Sequence, residues 1–124
     1  MRIGVPIWQD KISPLFDTCS RLLIVVARGG HELSRHEIYL DEVDISHRCQ
    51  RIQKLKIDVL ICGALSRPFS MMLEAAGIKV ISGISGEVED VLQAYFHKKR
   101  SLANYVMPGY EIDSSYSNKR RKFK

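Results

Sequence analysis

Two short, largely apolar runs in the second half of the chain constrain its fold most strongly. These runs are Val59–Cys62 and Ile78–Ile81. Apolar runs of strand length without polar alternation are typical of parallel strands that helices cover on both faces. Between the two runs, apolar residues recur at helical spacing from Phe69 to Ala76, and Gly77 ends this pattern. The sequence therefore predicts a strand–helix–strand crossover within an α/β sheet.

The first half of the chain supplies the remaining strands. Arg2–Ile7 is predicted to form a short strand, and a long connection follows it. The segments Arg21–Ala27 and Leu33–Leu40 flank Gly29-Gly30, which predicts an antiparallel hairpin. Apolar residues at helical spacing predict helices. The residues that mark them are Ile45, Cys49, Ile52 and Leu55, then Phe69, Met72, Leu73 and Ala76, and finally Val88, Val91, Leu92, Tyr95 and Phe96.

The predicted order of elements is β–β–β–α–β–α–β–α. It gives an α/β protein with a five-stranded mixed sheet and helices packed on it. The first, fourth and fifth strands are predicted to be parallel, and the hairpin supplies an antiparallel edge. This arrangement resembles the three-layer, ribonuclease H-like topology.

Length and cysteine content limit the class of protein. A chain of 124 residues with 45% hydrophobic residues suits one globular domain. The three cysteines are odd in number and include no CxxC pair, which favours a reduced compartment over a disulfide framework. No stretch approaches the roughly 20 apolar residues of a membrane span. We therefore expect a cytoplasmic protein without membrane partners.

The positive charge of the chain lies at one end. Of the 19 basic residues, five fall in the last six residues, which leaves 14 basic against 14 acidic residues elsewhere. A neutral body does not favour specific nucleic acid binding, which needs basic residues gathered on one face. We expect a domain over residues 1–109 and a basic, disordered tail over residues 110–124.

The resemblance to ribonuclease H raises the question of nuclease activity, and the acidic residues oppose it. Two-metal phosphodiester chemistry needs several carboxylates that converge on the metals. The first strand contains none, and Asp58 lies at the start of its strand. Glu87, Glu89 and Asp90 share one helical turn, where they suit the helix dipole. We therefore predict no nuclease activity.

Ligands of open α/β sheets gather beyond the carboxyl ends of the parallel strands. Here those ends are followed by the loop from Trp8 to Cys19, by Gly63–Ser66 and by Ser82–Gly86. Ser66 suits a helix N-cap, and the first turn after it holds Arg67 but no acid. Two interpretations stay open: this helix start binds an anion, or it is a strand–helix junction without further purpose.

Several motifs occur in the order and spacing of one family. They are MRIGVPIW, ISPLFD, DVLICGALSRPF, AAGIKVISGISGEVEDVLQAY and MPG. The chain resembles the dinitrogenase iron–molybdenum cofactor biosynthesis family, which comprises small domains of nitrogenase assembly. The resemblance implies a ribonuclease H-like fold without nuclease activity, binding of an iron–sulfur or iron–molybdenum cluster or its precursor, and cofactor-assembly or acceptor proteins as partners. Tyr110 departs from the cysteine- or glycine-rich ending of many relatives.

The candidate site residues come from the three segments beyond the strand ends. Cys19 lies in the first loop, where we expect it to be accessible, and it is the candidate metal ligand. Cys49 and Cys62 are expected in the core. The candidate cofactor-binding residues are Trp8, Ser13, Phe16, Gly63, Ala64, Ser66, Arg67, Gly83, Ser85 and Gly86.

Three residues of the first loop have expected roles that are mainly structural. Phe16 is expected to anchor the loop on the core, and Asp17 to cap a turn or pair with Arg21. Trp8 is expected to pack beneath the loop, with a cover over the ligand as the alternative.

The sequence thus predicts a non-catalytic binding or carrier domain for an anionic metal cluster. The alternative from another class is a protein-interaction or regulatory module with a vestigial cleft. An enzyme ranks third because no nucleophile–base pair or carboxylate dyad can be assembled from the sequence.

Overall fold

A computed structural model of the protein describes residues 1–97 and 99–110, so the predicted tail lies outside the described residues except for Tyr110. Within these residues, no helix combines the length and hydrophobicity that membrane crossing requires. The strands are β1 (Arg2–Trp8), β2 (Lys11–Ile12), β3 (Arg21–Arg28), β4 (His31–Tyr39), β5 (Val59–Ile61) and β6 (Lys79–Ile81), and the helices are α1 (Ile45–Lys54), α2 (Arg67–Ala75) and α3 (Val88–His97). Two 3-10 segments span Phe16–Thr18 and Lys99–Tyr105.

The main sheet has the strand order β4-β3-β1-β5-β6. β1, β5 and β6 run parallel to one another, whereas β3 is antiparallel to both β1 and β4. The predicted mixed sheet is confirmed. One strand was missed: β2 has only two residues and pairs with β1 through Ile7 and Ile12. A pair of residues is too short to show strand periodicity in a sequence.

The central strands are buried on both faces, which explains their continuous apolar character. Leu23 and Val25 of β3 pack in the core under α3, whereas Leu22 and Ile24 pack in the core under α1 and α2. β5 alternates in the same way between the two cores. Successive side chains of a strand point to opposite faces, so a strand between two helical layers needs apolar residues at every position.

A buried arginine fixes the loop between β2 and β3. Arg48 of α1 is only 4% exposed. Its guanidinium donates to the carbonyl oxygens of Cys19 at 2.6 Å, Phe16 at 3.3 Å and Glu42 at 2.9 Å. Carbonyl oxygens, rather than a carboxylate, thus offset the free-energy cost of burying the Arg48 cation. The turn at residues 16–19 is therefore held against α1.

We predict that Arg48→Met, which keeps the length of the side chain, lowers the free energy of unfolding by about 2–4 kcal/mol, because two buried carbonyl oxygens and one partly buried carbonyl oxygen lose a charged donor. Denaturant unfolding measures this change. Arg21→Met is the matched control, because the ion pair of Arg21 with Glu37 is exposed, and its effect is expected to be much smaller. Equal losses in the two variants would contradict the role of Arg48.

Candidate functional site

The turn after β5 is covered by the loop that follows β2. The amide of Phe16 donates to Ala64 O at 2.9 Å, and the amide of Ala64 donates to Pro14 O at 2.9 Å. A Cβ atom on Gly63 would lie 2.5 Å from Ser13 O. The close approach of the loop backbone therefore requires glycine at position 63. Gly63 and Ala64 are in contact with this loop of the protein itself.

The start of α2 already holds a carboxylate. Ser66 caps the helix as predicted, since its Oγ accepts from the amide of Phe69 at 3.4 Å. However, Asp17 Oδ1 accepts from the amide of Ser66 at 2.7 Å. The first turn of α2 holds no acid, as expected, but the distant loop that contains Asp17 supplies one. An incoming anion would meet this negative charge.

Few donors remain at the start of α2. The amides of Ser66 and Phe69 are taken and Pro68 has none, so within the described residues only the Arg67 amide of this turn has no acceptor. The Arg67 side chain is exposed and has no ion pair or hydrogen bond to the described part of the chain. Asp17 does not pair with Arg21, which instead donates to Glu37 at 2.7 Å.

The turn after β6 is covered by the segment that follows α3. The amide of Met107 donates to Gly83 O at 2.6 Å, and the amide of Ser85 donates to Tyr105 O at 2.7 Å. A Cβ atom on Gly83 would clash with the Tyr110 ring. Contact of a ligand with Gly83, which is buried, would therefore require this segment to move away, whereas Ser85 is exposed and Gly86 half-buried.

An open groove remains beside the carboxyl end of β1. It has a volume of about 400 Å³ and lies between Trp8 and Arg21. The lining residues are Ile7, Trp8, Ser13, Pro14, Leu15, Thr18, Cys19, Ser20 and Arg21. Trp8 is 59% exposed, so the expectation that it packs beneath the loop is wrong. Of the candidate residues, the structure brings Trp8, Ser13 and Cys19 together here.

Phe16 does not reach this groove. Its ring is fully buried and stacks on Phe69 with centroids 5.0 Å apart. It anchors the loop on the core, as predicted, and it cannot contact a ligand without unfolding of the loop. Ser13 is 6% exposed, and its hydroxyl donates to Leu15 O at 3.4 Å.

Cys19 forms part of the groove wall but is buried. It is 7% exposed, and its single thiol proton is shared between two acceptors, Ile7 O at 3.3 Å and Arg21 O at 3.1 Å from Sγ. The expectation that Cys19 is accessible is therefore wrong. These bonds require the protonated thiol, whereas metal ligation requires the thiolate. Ligation would break both hydrogen bonds.

The other thiols lie in the core, as predicted. Burial raises the pKa of Cys49 and raises the pKa of Cys62 far above its usual range. His47 is exposed and serves the start of α1, where its amide donates to Asp44 Oδ1 at 2.9 Å. Among the residues that the structure describes, no three His, Cys, Asp or Glu side chains form a group that could hold a metal ion.

Arg21 supplies a fixed positive charge at the groove. Its guanidinium donates to Glu37 Oε1 through Nη2 at 2.7 Å and through Nε at 3.2 Å. The hydrogen bond to Glu37 raises the pKa of Arg21 further above its already high usual value. The ion pair with Glu37 orients the Arg21 guanidinium and neutralises part of its charge.

Sequence reasoning missed Arg48, Tyr105 and the covering role of Tyr110, and it did not identify the contact of Asp17 with Ser66. Arg48 and Asp17 act on elements that are far from them in the chain, and no local pattern announces such contacts. Tyr105 and Tyr110 cover Gly86 and Gly83. The positive φ angles of these two glycines, 129° and 76°, follow from the turn that the segment covers.

Comparisons with known proteins bear on the fold and the family. The model of a family described as dinitrogenase iron-molybdenum cofactor matches residues 1–98. No curated protein matches the chain in sequence. The chain is similar to the crystal structure of PH0822, with a TM-score of 0.73, 17% identity, and coverage of 94% of this chain and 97% of that one.

Two further solved structures share the fold. The mj0327 protein of Methanocaldococcus jannaschii has a TM-score of 0.65 and 22% identity, and the match covers 77% of this chain and 88% of that one. The apo form of the orange protein from Desulfovibrio gigas has a TM-score of 0.63 and 23% identity, with 76% and 85% covered. At these identities the likeness supports the fold alone.

The cover over Gly83 gives a prediction for stability. Gly83→Ala is expected to lower the free energy of unfolding by about 1–3 kcal/mol for the positive φ, with a further loss from the clash with Tyr110. Gly77→Ala is the matched control, because Gly77 also has a positive φ but no atom near the added Cβ. In a Tyr110→Gly background, which also removes the Tyr110 Cβ that lies 2.8 Å from the added atom, the two alanine substitutions should lower the free energy of unfolding by similar amounts. Denaturant unfolding of the set measures this coupling, and an unchanged difference between them would refute the contact.

Proposed function

The chain belongs to the dinitrogenase iron–molybdenum cofactor family, and from this membership we propose that it is a non-catalytic carrier. Its cargo is an anionic iron–sulfur or iron–molybdenum cluster, or a precursor of one. The proposed setting is the cytoplasm, with cofactor-assembly or acceptor proteins as partners. The observation that carries the proposal is the open groove between Trp8 and Arg21.

The groove has the size and chemistry for such a cargo. Its volume of about 400 Å³ falls within the range of small-ligand sites. Ile7, Pro14 and Leu15 offer apolar surface, and Trp8 adds an exposed aromatic face. Arg21 adds a cation that remains charged at any physiological pH. A large, polarisable anion gains dispersion contacts from the first group and charge pairing from the second.

The cargo would be held mainly without covalent bonds to the protein. Protein-bound iron–sulfur clusters are usually held by several thiolates. Cys19 is the one thiol in the groove lining, and its Sγ is engaged in two hydrogen bonds. Weak, reversible attachment suits a domain that must release its cargo to another protein.

The charges around the groove favour its Trp8 side over the start of α2. Asp17 occupies the Ser66 amide and repels an anion there. We therefore assign the principal contacts to Trp8 and Arg21, and we assign Arg67 a longer-range attraction. Gly63, Ala64 and Ser66 then support the loop and do not contact the cargo.

The alternative function is a protein-interaction or regulatory module. The observation that favours it is the cover over two of the three expected ligand-binding turns by the protein's own chain. In that case the groove would bind no cluster.

The tryptophan of the groove provides the test, because the chain contains only one. An iron–sulfur or iron–molybdenum cluster is added anaerobically to the protein, and its absorption should quench Trp8 fluorescence with saturation. Arg21→Gln should weaken binding by roughly tenfold, the lower end of what a charged hydrogen bond contributes. Arg28→Gln is the matched control at the far end of β3 and should bind as the wild type does.

The cysteine variant separates ligation from wall formation. Cys19→Ser should reduce affinity less than Arg21→Gln does, because the cargo is not expected to bond to Sγ. Complete loss of binding in Cys19→Ser alone would indicate thiolate ligation. Absence of saturable quenching in the wild-type protein would reject the carrier function and favour the interaction module.

A further inference from the structure

β4 is a long strand at the edge of the sheet. It has nine residues, whereas strands in globular proteins average about 5–6. Eight of its nine residues are exposed, and in the described part of the chain its only strand partner is β3. A long exposed edge presents unpaired backbone groups to any other strand, and proteins usually protect it.

The hydrogen bonds of β3 identify the backbone groups of β4 that point away from the sheet. The amide of Ala27 donates to Met1 O at 2.8 Å, so Ala27 directs its groups toward the β1 side. Because directions alternate along a strand, the even-numbered residues of β3 bond to β4 instead. Their partners in β4 are also even-numbered, as His36 is. The backbone groups of Arg35 and Glu37 therefore face the free edge.

The charges of this edge complement a copy of the same strand. In an antiparallel pair centred on His36, Arg35 of each strand lies opposite Glu37 of the other. A pair centred on Arg35 would oppose two arginines, and a pair centred on Glu37 would oppose two glutamates. Opposite charges across a strand pair stabilise it and like charges destabilise it. The charged residues therefore disfavour pairing with unrelated strands, but they favour pairing with a second copy of β4 in one register.

We propose that β4 pairs with β4 of a second copy, antiparallel and two-fold symmetric about His36. The main-chain bonds are those between Arg35 and the partner's Glu37, made twice. The two sheets then continue into one. Leu33 and Tyr39, which are 59% and 69% exposed, lie at the two ends of the paired stretch. Leu33 of each copy is therefore near Tyr39 of the other copy.

Two features keep the pairing short. The register of β3 with β4 is irregular between Val26 and Ala27, which interrupts the edge before Ser34. At the other end, Tyr39 O already accepts from Arg51 Nη2 at 3.2 Å. Only the stretch around His36 is left for regular pairing, so the dimer is weak and reversible.

The side chains of the paired residues are already oriented. Arg35 Nη1 donates to Glu89 Oε2 of α3 at 2.6 Å, and Glu37 accepts from Arg21. Both side chains are thus held on the α3 face of the sheet. Arg35 also pairs with Glu32, so strand pairing adds the partner's Glu37 to an existing ion-pair network rather than ordering free side chains.

The experiment uses charge reversal and mixing of the full-length chain, with sedimentation equilibrium as the measurement. The wild-type protein should show a monomer–dimer equilibrium between micromolar and millimolar concentration. Arg35→Glu and Glu37→Arg should each dimerise roughly tenfold or more weakly, because each places like charges opposite each other twice. A mixture of the two variants should dimerise as the wild type does, because each variant complements the other.

Glu74→Arg, on the exposed face of α2, is the control and should leave dimerisation unchanged. Glu37→Pro provides a test without charge reversal, because the Glu37 amide makes no bond within the sheet, and it should yield a folded monomer. A monomeric wild type at every concentration would overturn the proposal. So would dimers that persist in the single variants, or a mixture that stays monomeric.

Discussion

The candidate site depends on the hydrogen bonds that the buried guanidinium of Arg48 donates. The guanidinium donates to the carbonyl oxygens of Phe16 and Cys19 and so holds their turn against α1. With this turn fixed, Phe16 stacks on Phe69, and Asp17 reaches the amide of Ser66. The same turn forms the wall of the groove opposite Trp8. One arginine thus connects the core, the start of α2 and the groove.

The sheet could be predicted from the sequence because it rests on local patterns. Val59–Cys62 is apolar at every position, Ile78–Ile81 is apolar except at Lys79, and Gly29-Gly30 marks the hairpin. The site could be predicted only in part. The residues of α2 alone favour anion binding at its start, but the Asp17 carboxylate already occupies that position. Tyr110 covers Gly83. Both contacts join segments that are distant in the chain. The exposure of Trp8 depends on the path of a loop, which periodicity does not describe.

The fold explains why the groove lies beside β1 and not across the whole edge of the sheet. The loop after β2 fills the space beyond β5, and the segment after α3 fills the space beyond β6. The groove between Trp8 and Arg21 remains open. β4 is adjacent to this region through the ion pair of Glu37 with Arg21, so cargo binding and strand pairing would share a charged residue.

The most direct test of the carrier function is the location of bound cargo on the protein. Iron–molybdenum cluster is added anaerobically to nitrogen-15-labelled protein, and the amide signals are followed by NMR. The account predicts that shifts or broadening concentrate at Trp8, Cys19, Ser20 and Arg21, while Gly83 and Ser85 are unaffected. Changes centred on Gly83 and Ser85, or no changes at any amide, would contradict it.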